Sequence, residues 1–89
     1  MSINEQLWDF PHRMQLKVMG ASNSPLEQAV TAILDQHLDD FDGERDISIT
    51  ASRNGNYISV KAQVVMRDKQ QVIDIYAALN RCEHVKVVF

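Results

Sequence analysis

Cys82 and His84 are the two residues of this 89-residue chain whose types most directly suggest catalysis. A thiol beside an imidazole can act as a nucleophile with its base when a third group orients the pair. Here the two residues stand two positions apart in a short loop segment, and the sequence places no orienting group next to them. We therefore expect that the chain is not an enzyme.

Metal binding at histidine is equally weakly supported. His12, His37 and His84 fall in separate segments, and no pair has the spacing of zinc ligands. His37 follows a helical pattern, where an imidazole near the C-terminal end favours the helix dipole. We expect none of the three to bind a metal.

The acidic stretch DQHLDDFDGERD invites comparison with a calcium-binding loop. Asp40 and Asp42 fit such a loop when Gly43 takes its glycine position. Leu38 and Ile49, however, occupy the positions of the first and last carboxylates. The stretch is more typical of a solvated helix end, so we expect no metal and no cofactor.

A segment of small residues could instead bind an anion. It runs from a predicted strand into a predicted helix start, where free backbone N–H groups can hold negative charge. It has neither the glycine spacing of a dinucleotide site nor a P-loop lysine. A small anion or an amino-acid carboxylate is the expected ligand class, and an ordinary helix cap is the alternative. This candidate ligand loop consists of Gly20, Ala21, Ser22, Asn23 and Ser24.

Length and composition predict one soluble domain over residues 1–89, located in the cytoplasm. The single cysteine excludes an internal disulfide and fits a reducing compartment. Residues 1–10 lack the apolar core of a secretory signal, and no apolar run is long enough for a membrane span. Leu7, Trp8 and Phe10 predict that this N-terminal extension packs on the domain. The net charge of −3 argues against a general nucleic-acid binder.

Alternating apolar residues predict strands over 13–19, 45–53, 57–66 and 84–89. Asn54-Gly55 predicts a two-residue type I′ turn with both residues at positive φ. The implied register places apolar residues opposite one another: Ala51 with Ile58, Ile49 with Val60, and Ile47 with Ala62.

Helical spacing predicts two helices, each with a capping signal at its start. Ser24 and Glu27 predict a capping box for a helix that ends near residues 38–40. Asp68 with Gln71 predicts a second cap, for a helix over 69–80. The order strand, helix, strand, strand, helix, strand predicts an α+β, ferredoxin-like βαββαβ sandwich. Its four-stranded antiparallel sheet would have the order 4-1-3-2, with both helices on one face.

The other face of that sheet would be open. Its expected residues are polar and mildly basic: five of the nine basic residues share this parity, and of the twelve acids only Asp46 does. Strand four is expected to direct Val85, Val87 and Phe89 to the core and Lys86 and Val88 to this face. RNA recognition is not expected, because Tyr57 is the single aromatic residue available for base stacking. The predicted interaction face comprises Lys17, Ser48, Thr50, Tyr57, Ser59, Lys61 and Lys86.

Several short motifs together resemble the YbeD-like family of small bacterial proteins of unknown function. They cover nearly the whole chain and consist of Phe10-Pro11 with Lys17-Val18-Met19-Gly20, a central group of Ser52, Gly55, Tyr57, Ser59 and Val60, and a closing Val85-Lys86 with Val88. The chain departs from the family at Val87, where methionine is usual, and at Phe89, where leucine is usual. The resemblance implies a ferredoxin-like fold similar to ACT regulatory domains, and it implies no established activity.

Two functional hypotheses follow. The first is a non-enzymatic interaction or regulatory module that docks an unidentified protein partner, or a second copy as a homodimer, through the open face or the edge of strand four. The second is an ACT-like sensor that binds a small ligand at residues 20–24.

Overall fold

The computed structural model describes residues 9–89 and contains the six predicted elements in the predicted order. They are β1 (His12–Ala21), α1 (Leu26–His37), β2 (Ile47–Ala51), β3 (Tyr57–Met66), α2 (Lys69–Arg81) and β4 (Val87–Val88). All strand pairs are antiparallel, and the sheet order is β2-β3-β1-β4. The predicted α+β fold and strand order are therefore confirmed.

The hydrophobic core lies between the sheet and the two helices. Alternate residues of β1 and β3 meet one apolar stripe from each helix, because strand and helix periodicity both present one face to the core. Phe10 packs against this core, whereas Leu7 and Trp8 lie outside the described residues. Within residues 9–89, neither helix is long and apolar enough to span a membrane. The fully buried core side chains include Leu16, Val18, Val60, Ala62, Leu26, Val30, Leu34, Val72, Ile75 and Leu79.

The β2–β3 hairpin has the predicted register but a different turn. Ile47, Ile49 and Ala51 pair as predicted with β3. The Ser52 N–H donates to the Tyr57 carbonyl at 2.8 Å, so four residues form the loop. Gly55 has a φ of 75°, and among residues 9–89 no residue other than this glycine has a positive φ. The predicted type I′ turn is therefore wrong, because one left-handed glycine is sufficient for this longer loop.

The two helix starts differ. Asp68 caps α2 as predicted, accepting from the Gln71 N–H at 2.8 Å. The predicted capping box of α1 is wrong: Pro25 is the cap residue, and no side chain bonds there. The Ser24 hydroxyl instead donates to the Ala21 carbonyl at 2.7 Å. Ser24 thus completes the turn after β1, an alternative that serine commonly offers the backbone.

The Gln71 side chain joins three segments around the core. Its Oε1 accepts from the Arg67 N–H at 2.6 Å, and its Nε2 donates to the His37 carbonyl at 2.7 Å. The side chain is therefore satisfied although Gln71 is only 6% exposed. It connects the end of α1 to the segment between β3 and α2.

The chain bulges just before β4. Val85 and Val88 both pack against the core, although side chains three positions apart in a regular strand point to opposite faces. Met19 pairs with Val87, yet its carbonyl also accepts from the Lys86 N–H at 2.8 Å. Two residues therefore oppose one, which defines a bulge. Lys86 itself is exposed.

This bulge reverses the predicted alternation of the last three residues. Val88 packs on the core, whereas Val87 and Phe89 lie on the opposite face beside Met19 and Lys17. A bulge has this effect because one extra residue flips every side chain that follows it. The expectation that Val87 and Phe89 face the core and Val88 faces outward is therefore wrong.

Gly20 allows the chain to approach β1 closely just before this bulge. A Cβ atom at position 20 would overlap the carbonyl oxygen of His84 and would press on the Leu26 side chain. The absence of a side chain on β1 therefore sets where the returning chain meets the sheet.

We predict that Gln71→Ala lowers the free energy of unfolding by about 2 kcal/mol. The change removes the partners of the His37 carbonyl and the Arg67 N–H, whose hydrogen bonds to Gln71 are partly buried. Urea denaturation of both the wild-type and variant chains measures the difference.

Gln70→Ala is the matched control for this prediction. The Gln70 amide donates to Asp74 at 2.8 Å in an exposed pair four residues apart, so its loss costs less than about 0.5 kcal/mol. Equal losses for the two variants would contradict the bridging role of Gln71.

Candidate functional site

The sheet surface turned away from the helices is covered by none of the described elements, and we call it the open face. Cross-strand pairing arranges its residues in rows, because directly opposed residues share one face of a sheet. Three strands contribute its centre, and β4 with the residue after it completes one side. The open face consists of Arg13, Gln15, Lys17, Met19, Ser48, Thr50, Tyr57, Ser59, Lys61, Gln63, Val65, Val87 and Phe89.

Two lysines stand directly opposite each other in the central row. Lys17 of β1 pairs with Lys61 of β3, and Lys61 also pairs with Ser48 of β2. Both lysines are half-buried, and no acid among residues 9–89 forms an ion pair with either. Like charges directly opposed across strands are destabilising. This row therefore carries an uncompensated positive charge at some cost in stability.

Phe89 lies on the other side of Lys17 in the same row. The Lys17 Nζ is 5.5 Å from the centroid of the Phe89 ring, within the range of a cation–π interaction. Because Phe89 and Lys61 flank Lys17 on opposite sides, this contact draws the ammonium group away from Lys61. The aromatic ring thus helps the face to retain both charges.

Apolar side chains border the lysine row. Among the described residues, every large hydrophobic side chain that is exposed lies on this face except Ile49. Phe89 is 60% exposed, and no described element covers it. The open face therefore combines two positive charges at its centre with exposed apolar area at its border. The four exposed apolar residues of the open face are Tyr57, Val65, Val87 and Phe89.

The structure brings together most of the predicted interaction residues. Lys17, Ser48, Thr50, Tyr57, Ser59 and Lys61 lie on three adjacent strands of the open face. Lys86 is exposed at the bulge on the β4 edge. Sequence reasoning missed Val87 and Phe89, because four of the last five residues are apolar and their order does not show the bulge.

Two further charges that shared the parity of the open face, Arg67 and Asp46, form ion pairs away from its centre. Arg67 turns toward Asp39 at 3.2 Å and Asp68 at 3.5 Å. Asp46 is held by Arg45, with distances of 2.9 and 3.0 Å to its two oxygens. Lys17 and Lys61 are thus the charges of the sheet centre that stay available.

The carboxylates of the acidic loop after α1 accept hydrogen bonds from the loop itself. The Asp42 carboxylate accepts from the N–H groups of Glu44 and Arg45, and the Asp42 N–H donates to Asp46 at 3.0 Å. The hydrogen bond from Arg45, followed by the one from the Asp42 backbone, lowers the pKa of Asp46 to about 2. Within residues 9–89, no cluster of three or more His, Cys, Asp or Glu side chains has an arrangement that could hold a metal ion.

The candidate ligand loop uses several of its own donors. The Ser22 N–H donates to the Asn56 carbonyl at 3.0 Å, and the Ser24 N–H donates to the Ala21 carbonyl at 3.1 Å. The donors that stay open belong to the first turn of α1, which no side chain caps. A ligand at this loop stays a prediction.

The other residues that could do chemistry, and the cleft near them in the fold, give little support for a chemical function. His84 lies 3.6 Å from the Glu83 carboxylate, and Cys82 is half-buried at the end of α2. A cleft of about 450 Å³ lies between the α1–β2 loop and the end of β3. Two of its three arginines, Arg45 and Arg67, already pair with carboxylates of the same wall. The absence of enzyme activity also stays a prediction.

Known proteins resemble the chain over almost all of its length. A family described as "Protein of unknown function (DUF493)" matches residues 5–89. A UPF0250 protein of Paraburkholderia phymatum is 35% identical over 86 residues, which cover 97% of this chain and 96% of the relative. A UPF0250 protein of Neisseria gonorrhoeae is 39% identical over 82 residues, which cover 92% and 89%. No solved structure matches.

We predict that Lys61→Glu raises the free energy of unfolding by about 1 kcal/mol, because it replaces a like-charge pair by an opposite-charge pair. The melting temperature should rise by about 5 °C at low salt. The gain should shrink in about 1 M salt, which screens exposed charges. Thermal denaturation at both salt concentrations measures it.

Two further variants separate charge from side-chain size. Lys61→Gln removes the repulsion without adding attraction, so its melting temperature should lie between those of wild type and Lys61→Glu. Lys17→Glu with Lys61→Glu restores a like-charge pair and should cancel the gain. A Lys61→Glu chain no more stable than Lys61→Gln would contradict the interaction.

We predict that Asp46 accounts for part of the loss of folding stability at acidic pH. Its pKa is lower in the folded state than the usual value near 3.9, so its contribution is present above about pH 4 and is lost toward pH 2. Asp46→Asn should be less stable at pH 7, and its unfolding free energy should fall less steeply between about pH 4 and 2.

Denaturant unfolding across that pH range tests the prediction about Asp46. The control is Asp35→Asn, which removes an exposed α1 carboxylate outside the loop. Parallel pH profiles for Asp46→Asn and wild type would rule out the contribution of Asp46.

Proposed function

The chain belongs to the DUF493 family of proteins of unknown function, and we propose that it is a non-enzymatic interaction module whose open face binds an acidic surface of a partner protein. The observation that carries the proposal is the opposed pair Lys17 and Lys61, which no described acid neutralises. The family match confirms the resemblance seen in the sequence motifs and names no activity.

The cost of the lysine row supports this assignment. We expect a glutamate at position 61 to give a more stable sheet, so folding alone would not account for a lysine there. Carboxylates of a partner would relieve the repulsion between Lys17 and Lys61 on binding. The same charges would steer an acidic partner toward this face and raise its rate of association.

The border of the face can supply the affinity. Two exposed aromatic residues border the charged centre: Phe89 lies beside Lys17, and Tyr57 lies two rows along β3 from Lys61. Val87 lies on the same edge as Phe89. Aromatic side chains at an interface bury a large area at a low entropic cost. The face thus combines positive charge, which favours specificity, with apolar area, which favours affinity for the partner.

The charge pattern also favours one class of partner. Two copies that met face to face would bring their lysine rows together, which opposes self-association through this surface. The chain carries a net charge of −3, so its other surfaces would repel an extended nucleic acid. A protein that presents a local group of carboxylates fits both constraints.

We predict that Lys17→Glu with Lys61→Glu weakens binding to such a partner at least about tenfold, since each charge pair at an interface contributes on the order of 1 kcal/mol or more. Affinity capture from a bacterial lysate with the wild-type chain identifies the partner, and titration of the purified partner then gives the affinity. Binding should weaken further as salt increases.

Arg53→Glu with Arg81→Glu is the matched control, because it changes the net charge equally at exposed positions outside the open face. The control should keep its partner. Loss of binding in the control variant alone, or loss after nuclease treatment, would contradict the proposal.

The alternative function is a small-ligand sensor at Gly20 to Ser24. The uncapped first turn of α1 favours it, since its N–H groups are open to a carboxylate or another small anion. A ligand at about 100 times its dissociation constant would stabilise the fold by about 2.7 kcal/mol. Thermal denaturation with a panel of amino acids and inorganic anions separates the two functions, because the docking module predicts no shift.

A further inference from the structure

The two edges of the sheet are protected to very different degrees. β4 has two residues, and it is preceded by a bulge and by the exposed Lys86. Shortness, bulges and lysines are the features that prevent an edge strand from pairing with another chain. The edge of strand four, the edge expected from the sequence to dock, is therefore the less suitable one.

β2 forms the other edge and has none of these features. Its sequence from Ile47 to Ala51 is Ile-Ser-Ile-Thr-Ala, without charge or proline, and its pairing with β3 is continuous. Four of the five residues are exposed, and the Ile49 side chain is 42% exposed. A β-forming, uncharged and exposed edge strand is a template for strand pairing.

In β2, alternate residues direct their backbone N–H and carbonyl groups away from β3. The Asp46 carbonyl accepts from the Gln63 N–H at 2.9 Å, and the Ser52 N–H donates to the Tyr57 carbonyl, so even-numbered residues bond to β3. Odd-numbered residues therefore point their backbone groups away from the sheet. No described residue forms a hydrogen bond with these outward groups of Ile47, Ile49 and Ala51.

We infer that β2 pairs antiparallel with β2 of a second copy, about a two-fold axis at Ile49. This axis places Ile49 opposite Ile49 of the second copy and Ile47 opposite Ala51. Each opposed pair can exchange N–H and carbonyl bonds, as antiparallel partners with inward-facing backbone groups do. The interface is isologous and therefore closes as a dimer.

A second copy fits this edge because the strand is nearly self-complementary. Its apolar residues share one side of the strand. Pairing about Ile49 therefore places apolar residues opposite apolar residues and hydroxyl-bearing residues opposite hydroxyl-bearing residues. Beyond the strand, Arg53 comes opposite Arg45, whose guanidinium is already held by Asp46. No unpaired like charges therefore meet within the paired segment.

The pairing does not depend on the proposed function. It uses an edge of the sheet, whereas the acidic partner would use the open face. The dimer would join two four-stranded sheets and would place their open faces side by side.

Sedimentation equilibrium of the full chain, up to about 1 mM, tests the inference. The wild type should reach twice the chain mass of 10.2 kDa. Ile49→Lys should raise the dimer dissociation constant at least about 100-fold, because it opposes two like charges at the axis. Val87→Lys, on the edge formed by β4, should leave the constant unchanged. Circular dichroism confirms that both variants remain folded.

Mixing two variants tests the position of the axis. Ile49→Lys and Ile49→Glu should each be monomeric, and an equal mixture should form a heterodimer, because opposite charges then meet at the axis. A wild type that stays monomeric throughout the concentration range would overturn the inference. So would dissociation by Val87→Lys but not by Ile49→Lys, or a mixture that stays monomeric.

Discussion

The antiparallel pairing of β1 with β3 is the constraint on which the rest of this structure depends. Ten consecutive pairs, from His12 with Met66 to Ala21 with Tyr57, fix which side of each strand meets the helices. A shift of β1 by one residue against β3 would bury Lys17 and expose Leu16. The hydrophobic core therefore holds the two lysines opposite each other on the open face, whatever their mutual repulsion.

The separation of charge follows from this register. Acids are concentrated on the helices and loops, and the loop after α1 neutralises its arginine internally. The sheet centre keeps two lysines, and the Phe89 ring stabilises one of them. A chain with a net negative charge thus presents a local positive surface, which is a feature of the fold and not of the composition.

The sequence was sufficient to predict features with local causes. Strand alternation gave the pairing of Ile47, Ile49 and Ala51, and Asp68 identified the start of α2. It also assembled most of the site, because residues two apart share a face. The bulge at Lys86 has a non-local cause, since the chain returns to β1 where Gly20 admits the His84 carbonyl. No local pattern could place Val87 and Phe89 on the open face.

The Gln71 side chain affects how easily the neighbouring helix ends can open. Helix ends usually fray separately and expose their amide hydrogens at low cost in free energy. Here the last carbonyl of α1 and the backbone before α2 share one buried side chain, so releasing either end breaks bonds of both. The two helices are therefore coupled at this corner, and opening either end there requires the loss of a Gln71 hydrogen bond.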